Sequence, residues 1–235
     1  MIRAILFDAA GTLFRVRGSV GAAYAAVAAR HGVRVDAVRI EERFRSAFRG
    51  MPPMCFPGIA ETELAQRERA WWRQVVMTAF TECRFRDFEV FFDDLFEHFA
   101  QPAAWEVFAD VAPTLSGLQA RGLQLAVVSN FDGRLTRVCD GLGIRRFFAA
   151  IVMSGRAGCA KPDPRIFAVA LERLGVAASQ AIHVGDSEAE DLEGARAAGV
   201  SAILIRRDAP AAECSGRIRD LRELLHHVQP LRAGH

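Results

Sequence analysis

The apolar run Ile2 to Phe7 stops at a carboxylate, Asp8, and gives way to Ala9-Ala10-Gly11-Thr12-Leu13. A run of that length and character reads as a strand buried on both faces of a parallel sheet, and Gly-Thr reads as its exit loop. Open α/β sheets bind ligands outside the carboxyl ends of their strands, so Asp8 stands at a functional position. Position 10, two residues on, carries Ala and not a second carboxylate.

The same grammar recurs further along. Apolar segments at 2–8, 123–129, 149–153, 181–185 and 201–205 read as strands, and helical patterns at 111–121, 132–142, 164–174, 188–198 and 217–228 alternate with them. This predicts an α/β fold, a doubly wound parallel sheet with a Rossmann-like core. Residues 16–104 interrupt it with no strand. Helices are predicted there from Ser19 as N-cap to Gly32, from Asp36 to Gly50, over 61–80 and over 87–99. The domains are therefore 1–15 with 105–235 as the core, and 16–104 as an inserted all-helical cap. The insertion leaves the sheet just after its first strand, so it is expected to hang above Asp8 as a lid. Arg15 to Gly18 and Gln101 to Trp105 are the expected hinges.

Composition excludes several function classes. The formal net charge of +2 gives no reason to expect nucleic acid or a membrane surface. No apolar run is long enough to span a bilayer, and the N-terminus lacks a signal-peptide pattern. The cysteines (Cys55, Cys83, Cys139, Cys159 and Cys214) show no metal-site spacing and no bridge framework. Reduced thiols and a cytoplasmic location are expected. Of 30 Lys and Arg residues, one is lysine: Lys161.

Four strand ends carry chemistry. Asp8 follows the first strand, and Ser129-Asn130 ends the second. Lys161 lies in Lys161-Pro162-Asp163-Pro164, and Asp186 ends a strand in Gly185-Asp186-Ser187 with Asp191 five residues later. Converging on one crevice, they supply a carboxylate nucleophile, a hydroxyl donor, a cation and two further carboxylates. That set suits phosphoryl transfer: Asp8 attacks phosphorus, Ser129 and Lys161 hold phosphoryl oxygens, and Asp8 with Asp186 offers oxygen ligands to Mg²⁺. Asp191 could hold a metal water, pair with Lys161 or cap a helix. His183, inside a strand, reads as a satisfied core residue, and Glu190 as solvated or supporting. Trp71, Trp72, Phe44 and Phe48 read as helix core, and Arg45 and Arg49 as a solvated face.

In this order and context the four motifs resemble the haloacid dehalogenase-like hydrolase superfamily. The stretches Ser129 to Asp132, Lys161 to Phe167 and His183 to Gly199, with Trp71-Trp72, resemble its branch of haloacid dehalogenase-like hydrolase domain-containing proteins. The helical insertion takes the place of that family's type 1 cap. The resemblance implies Asp8, Ser129 and Lys161 as catalytic residues. It implies Asn130, Gly11 and Thr12 around the phosphate, and Asp8, the Ala10 carbonyl, Asp186 and Asp191 as the Mg²⁺ site. The substrate expected is a small phosphorylated molecule.

The departure is Ala10, where family phosphatases carry an acid/base Asp. Its absence predicts slow turnover, by the roughly 10²–10⁴-fold that general acid–base catalysis contributes. The alternative is a nearly inactive relative that binds phosphate or a partner. Two relatives manage without that Asp. The 2-haloacid dehalogenases lack an intact acidic motif, whereas Asp186 and Asp191 are present here. Phosphonoacetaldehyde hydrolases need a cap lysine, and this cap has none.

Overall fold

The computed structural model describes residues 1–208 and 217–228. Cys214 lies outside the described residues, as does the end of the predicted core segment.

Five parallel strands form the central sheet: β1 (Ala4–Phe7), β4 (Gln124–Ser129), β5 (Ala150–Met153), β6 (Ala181–Gly185) and β7 (Ser201–Leu204), in the order β5-β4-β1-β6-β7. β1 is in the middle and every one of its residues is buried, as a continuous apolar run requires of a strand covered on both faces. The period of two sorts its side chains. Ile5 and Phe7 join Leu125 and Val127 in the core on one face, while Ala4 and Leu6 join Ala126 and Val128 on the other. The register pairs Phe7 with Val127 of β4 and with Val184 of β6. The next residue, Asp8, therefore emerges beside the ends of both neighbours.

The first face is covered by α5 (Val111–Ala120) and α6 (Arg134–Gly141), and the second by α8 (Pro164–Leu174) and α9 (Gly194–Ala197). Between β1 and α5 stand four further helices, α1 (Val20–Arg30), α2 (Ala37–Arg49), α3 (Glu61–Ala79) and α4 (Phe88–His98). Their starts follow the side chains available. Ser19 accepts a hydrogen bond from the Ala22 amide at 3.0 Å, Asp36 from the Arg39 amide at 2.9 Å, and Asp87 from the amides of Glu89 and Val90. The helices share a core of their own, with Tyr24, Ile40, Val76, Phe80, Phe91 and Leu95 at its centre. No described helix is long and apolar enough to cross a membrane.

Three expectations are corrected. The two expected hinges are not plain linkers. β2 (Phe14–Val16) and β3 (Trp105–Val107) pair antiparallel, Phe14 opposite Val107 and Val16 opposite Trp105. The Phe14 and Trp105 rings meet edge to face at 5.2 Å, and Arg17 binds the carbonyls of Ala103 and Trp105. The strand signal was missed because each strand has only three residues. The helix predicted over 188–198 opens instead as a π-helical segment, Glu188–Glu193, before α9. Both the Asp191 and the Leu192 amides donate to the Ser187 carbonyl. The helix predicted over 217–228 shrinks to a 3₁₀ turn at Leu221–Glu223 and α10 (Leu224–His227), because Ile218 bridges to Ile205.

Candidate active site

Two strand ends, the loop before α8 and the π-helical segment after β6 bring four of the predicted side chains into one buried cluster. Asp8, Ser129, Lys161 and Asp191 are all at most 6% exposed. The Lys161 ammonium donates to Asp8 Oδ1 and to Asp191 Oδ1, both at 2.6 Å, and Ser129 Oγ donates to Asp8 Oδ1 at 3.1 Å. Oδ1 of Asp8 is thus held by two donors, while its Oδ2 meets no protein donor among the described residues.

Each member is placed by local chemistry. Asp8 is anchored by its amide, which donates to the Val184 carbonyl at 2.9 Å. Lys161 sits in a loop with a cis peptide to Pro162. That loop is clasped by Asn130, whose amide oxygen accepts from the Lys161 N–H and whose amide nitrogen donates to the Lys161 carbonyl. The π-helical turn brings the Asp191 side chain inward. Its Oδ1 also meets His183 Nε2 at 2.9 Å, and its Oδ2 accepts from the Ser187 amide at 2.9 Å. Of the three roles open to Asp191, the pairing with Lys161 is the one observed. His183 is fully buried as expected, with its Nε2 bound to the site and its Nδ1 unpartnered. Gly185 makes room for this arrangement, since a Cβ there would lie 2.1 Å from Asp191 Cγ.

The electrostatics follow from burial and partners. Burial raises the Asp8 carboxyl above the usual range. Lys161 opposes that shift, while Asp191 and Asp186 add to it. Burial would also raise Asp191, but Lys161 and His183 hold it well below the ordinary carboxylate value. Lys161 is desolvated, yet Asp8 and Asp191 keep its ammonium firmly charged.

Carboxylate oxygens of Asp8, Asp186 and Asp191 lie within 4.8 Å of one another, a group able to hold a metal ion. Asp191 already accepts from Lys161, His183 and the Ser187 amide, so Asp8 and Asp186 are the less committed carboxylates, while Asp191 Oδ2, with one donor, keeps a lone pair. Burial and the neighbouring Asp191 raise the Asp186 carboxyl, so a cation there would relieve like-charge repulsion. Two carboxylates and a backbone carbonyl, all hard oxygens, fit Mg²⁺. Ala10 is exposed, and its carbonyl accepts no hydrogen bond among the described residues.

The three residues expected around the phosphate have these surroundings. The Gly11 amide donates to the Phe14 carbonyl, and Gly11 takes a positive φ of 94°. A Cβ there would approach Asp186 Oδ2 to 2.4 Å, so Gly11 permits the close approach of Asp186. Thr12 is fully buried. Its hydroxyl has no partner and its amide turns to the Ala9 carbonyl, making it part of the loop framework. Asn130 spends its side chain on Lys161 and on Glu190.

Other residues are placed by long-range pairing. The Trp72 indole donates to Asp132 Oδ2 at 2.6 Å, and Arg134 bridges Asp132 and the Phe96 carbonyl with its guanidinium 3.8 Å from the Phe96 ring centroid. Trp72 and Phe96 belong to the helical block, so Trp72 is a contact to the core as well as a packing residue. Glu68 of α3 is 5% exposed and accepts from the Gly133 amide, while its Oε1 is buried without a partner. Burial raises its carboxyl to about 7; the Gly133 amide, Arg156 and Arg134 oppose the shift and Asp132 adds to it. Arg207 grips Asp110 through two contacts of about 3 Å and the Thr12 carbonyl, tying the loop after β7 to the loop after β1. Arg45 pairs with Glu41 on an exposed face, as expected.

Comparison with known proteins agrees with this geometry. Residues 2–199 match the family described as haloacid dehalogenase-like hydrolase. The chain is 39% identical over 212 residues to haloacid dehalogenase-like hydrolase domain-containing protein 3 of Mus musculus, covering 89% of this chain and 84% of that one. It is 36% identical over 131 residues to a phosphoserine phosphatase of Thermus thermophilus, covering 54% and 53%. Its fold resembles the crystal structure of a phosphatase of the same family from Thermococcus onnurineus, with a TM-score of 0.68, 24% identity and coverage of 99% and 100%. The chain belongs to the haloacid dehalogenase-like hydrolase family.

Proposed function

We propose that this hydrolase is an Mg²⁺-dependent phosphatase that acts on a small phosphorylated molecule through an aspartyl-phosphate on Asp8. The observation that carries the reading is the buried contact of Lys161 with both Asp8 and Asp191, beside a further carboxylate at Asp186. Asp8, Asp186 and the Ala10 carbonyl would hold the ion, which when bound neutralises phosphoryl oxygens.

The chemistry assigned to the chain's own residues is short. A carboxylate oxygen of Asp8 attacks phosphorus and the bond to the leaving oxygen breaks. Lys161 and Ser129, already aimed at Asp8, meet the phosphoryl oxygens as charge moves onto them. The Asn130 backbone amide adds a donor. Water then attacks phosphorus of the acyl phosphate, releasing phosphate and restoring the Asp8 carboxylate. The four-helix block serves as a cap over this site, fastened through Trp72 and Glu68 to the loop after β4.

Ala10 supplies no proton to the leaving oxygen and activates no water, so turnover of unactivated esters is slow. The same residue favours a second reading, a phosphate- or partner-binding protein with little catalysis. The free thiols among the described residues fit a cytoplasmic setting.

The test is release of inorganic phosphate from a panel of phosphomonoesters by purified protein, with and without Mg²⁺, against Asp8→Asn. Mg²⁺-dependent release abolished in Asp8→Asn supports the phosphatase. Phosphate binding without release supports the second reading.

A further inference from the structure

The wall of the site on the β7 side carries a concentration of guanidinium groups that the chemistry above leaves unused. A cavity of about 310 Å³ is lined by Gly11, Asp186, Phe108, Arg15, Arg206 and Arg207, with Ile205 and Asp208 completing it. Its inner wall is therefore made of residues already at the site. A carboxylate oxygen of Asp186 lies within 4.8 Å of one of Asp8, and Gly11 packs against Asp186. The cavity begins one side chain away from the nucleophile.

The arginines differ in how far they are committed. Arg207 is held by Asp110 and the Thr12 carbonyl, and its Nε is buried with no partner. Arg206 donates through Nη1 to the Asp186 carbonyl at 3.2 Å and lies 3.7 Å from Glu188. Arg15, more than half exposed on β2, meets Glu106 only through Nε at 3.2 Å. Both Arg15 and Arg206 thus keep N–H groups without a protein acceptor among the described residues. Phe108 gathers the charges: the Arg207 guanidinium stands 3.7 Å from its ring centroid and that of Arg15 5.4 Å. Stacking fixes these planar groups in place. Each guanidinium has one carboxylate neighbour, Asp110, Glu188 or Glu106, and the N–H groups that Arg15 and Arg206 have left over converge on the cavity as donors for an oxyanion.

We propose that this cavity binds a second anionic group of the substrate, a carboxylate or a second phosphate, with Arg15 and Arg206 as the direct contacts and Arg207, paired with Asp110 and stacked on Phe108, as the support of the wall. The proposal rests on the phosphatase reading and narrows its substrate class to small phosphomonoesters that carry another acidic group. Neutral-tailed phosphomonoesters present nothing to these donors.

Matched pairs of esters test it: 3-phosphoglycerate against glycerol 3-phosphate for a carboxylate, and glucose 1,6-bisphosphate against glucose 1-phosphate for a phosphate. Wild type should prefer the member with the second anionic group in at least one pair by about 10- to 100-fold in kcat/KM, the range of a charge-assisted hydrogen bond. The pair that shows the preference identifies the group. In Arg15→Gln and in Arg206→Gln, made separately, the ratio should fall toward one. Equal kcat/KM within both pairs, or a ratio that survives in both variants, overturns the proposal. If wild type hydrolyses none of the four, the cavity is read by binding alone, and the phosphatase reading stands or falls on its own panel. Calorimetric binding of the same four compounds to Asp8→Asn then decides the cavity: tighter binding of the second-anion member, lost on adding Arg206→Gln, upholds it, and equal binding overturns it.

Discussion

The ammonium of Lys161 stands 2.6 Å from Oδ1 of Asp191, and both side chains are only 1% exposed. The same ammonium is 2.6 Å from Asp8, so one cation compensates two buried carboxylates. This lysine cannot be removed quietly.

Lys161→Met should leave Asp8 and Asp191 as buried charges without a counter-ion. The expected cost is about 3–5 kcal/mol of stability, the range for a broken buried pair, together with loss of hydrolysis. Lys161→Arg should not rescue activity, because a planar guanidinium cannot occupy the point between two carboxylates that an ammonium fills. Thermal unfolding and phosphate release measure both. A Lys161→Met protein as stable and as active as wild type would show that the contact is incidental.

Glu68 links the helical block to the core through the Gly133 amide. Its carboxyl is raised to about 7, chiefly by burial; Arg156, Arg134 and the Gly133 amide pull down and Asp132 pushes up. A carboxyl raised on folding binds more protons in the native than in the unfolded state, so its contribution is whole below the unfolded value near 4.5 and is lost as pH rises through about 7. Melting temperature should therefore decline between about pH 5 and 8 more steeply in wild type than in Glu68→Gln, which keeps an acceptor for Gly133 without the charge. Each kcal/mol of difference corresponds to roughly 2–4 °C in Tm for a chain of this size. Parallel pH profiles of the two proteins would remove Glu68 from the account.

Ala10 is exposed, so a longer side chain there needs no room in the core. Ala10→Asp should raise steady-state hydrolysis of alkyl phosphates by up to about 10²–10⁴-fold, the span of general acid–base catalysis. Aryl phosphates, whose leaving groups need less protonation, should gain less in the first step. A folded, Mg²⁺-binding Ala10→Asp protein with no gain would mean that another group already moves the proton.

These residues differ in how visible they were before the structure. Asp8, Ser129 and Asp186 were legible because each closes a local pattern, an apolar run ending in a turn, and parallel strands force such ends together; Lys161 was legible as the lone lysine, in a Pro-flanked loop before a helix. The same reasoning anticipated the Ser19 and Asp36 caps. Gly11 and Thr12 were assigned to the ligand, yet the backbone turn consumes the Gly11 amide and buries Thr12. Glu68, the Trp72–Asp132 bond and the Arg207–Asp110 pair were not legible. Their partners lie 65, 60 and 97 residues away, and only the packing of the helical block and of the β7 loop brings them together. The π-helical turn was also hidden, since its short run matches an ordinary helical spacing.

The most direct test of the account is capture of the phosphoryl group on Asp8. Wild type is mixed with an aryl phosphate and Mg²⁺, quenched in acid early in the reaction, digested and read by mass spectrometry. Because Ala10 leaves the second step without a base, the acyl phosphate should accumulate, and the peptide holding Asp8 should carry one phosphoryl group that is absent in Asp8→Asn. Phosphate release with no phosphoryl group on that peptide, or a label that persists in Asp8→Asn, would contradict Asp8 as the nucleophile.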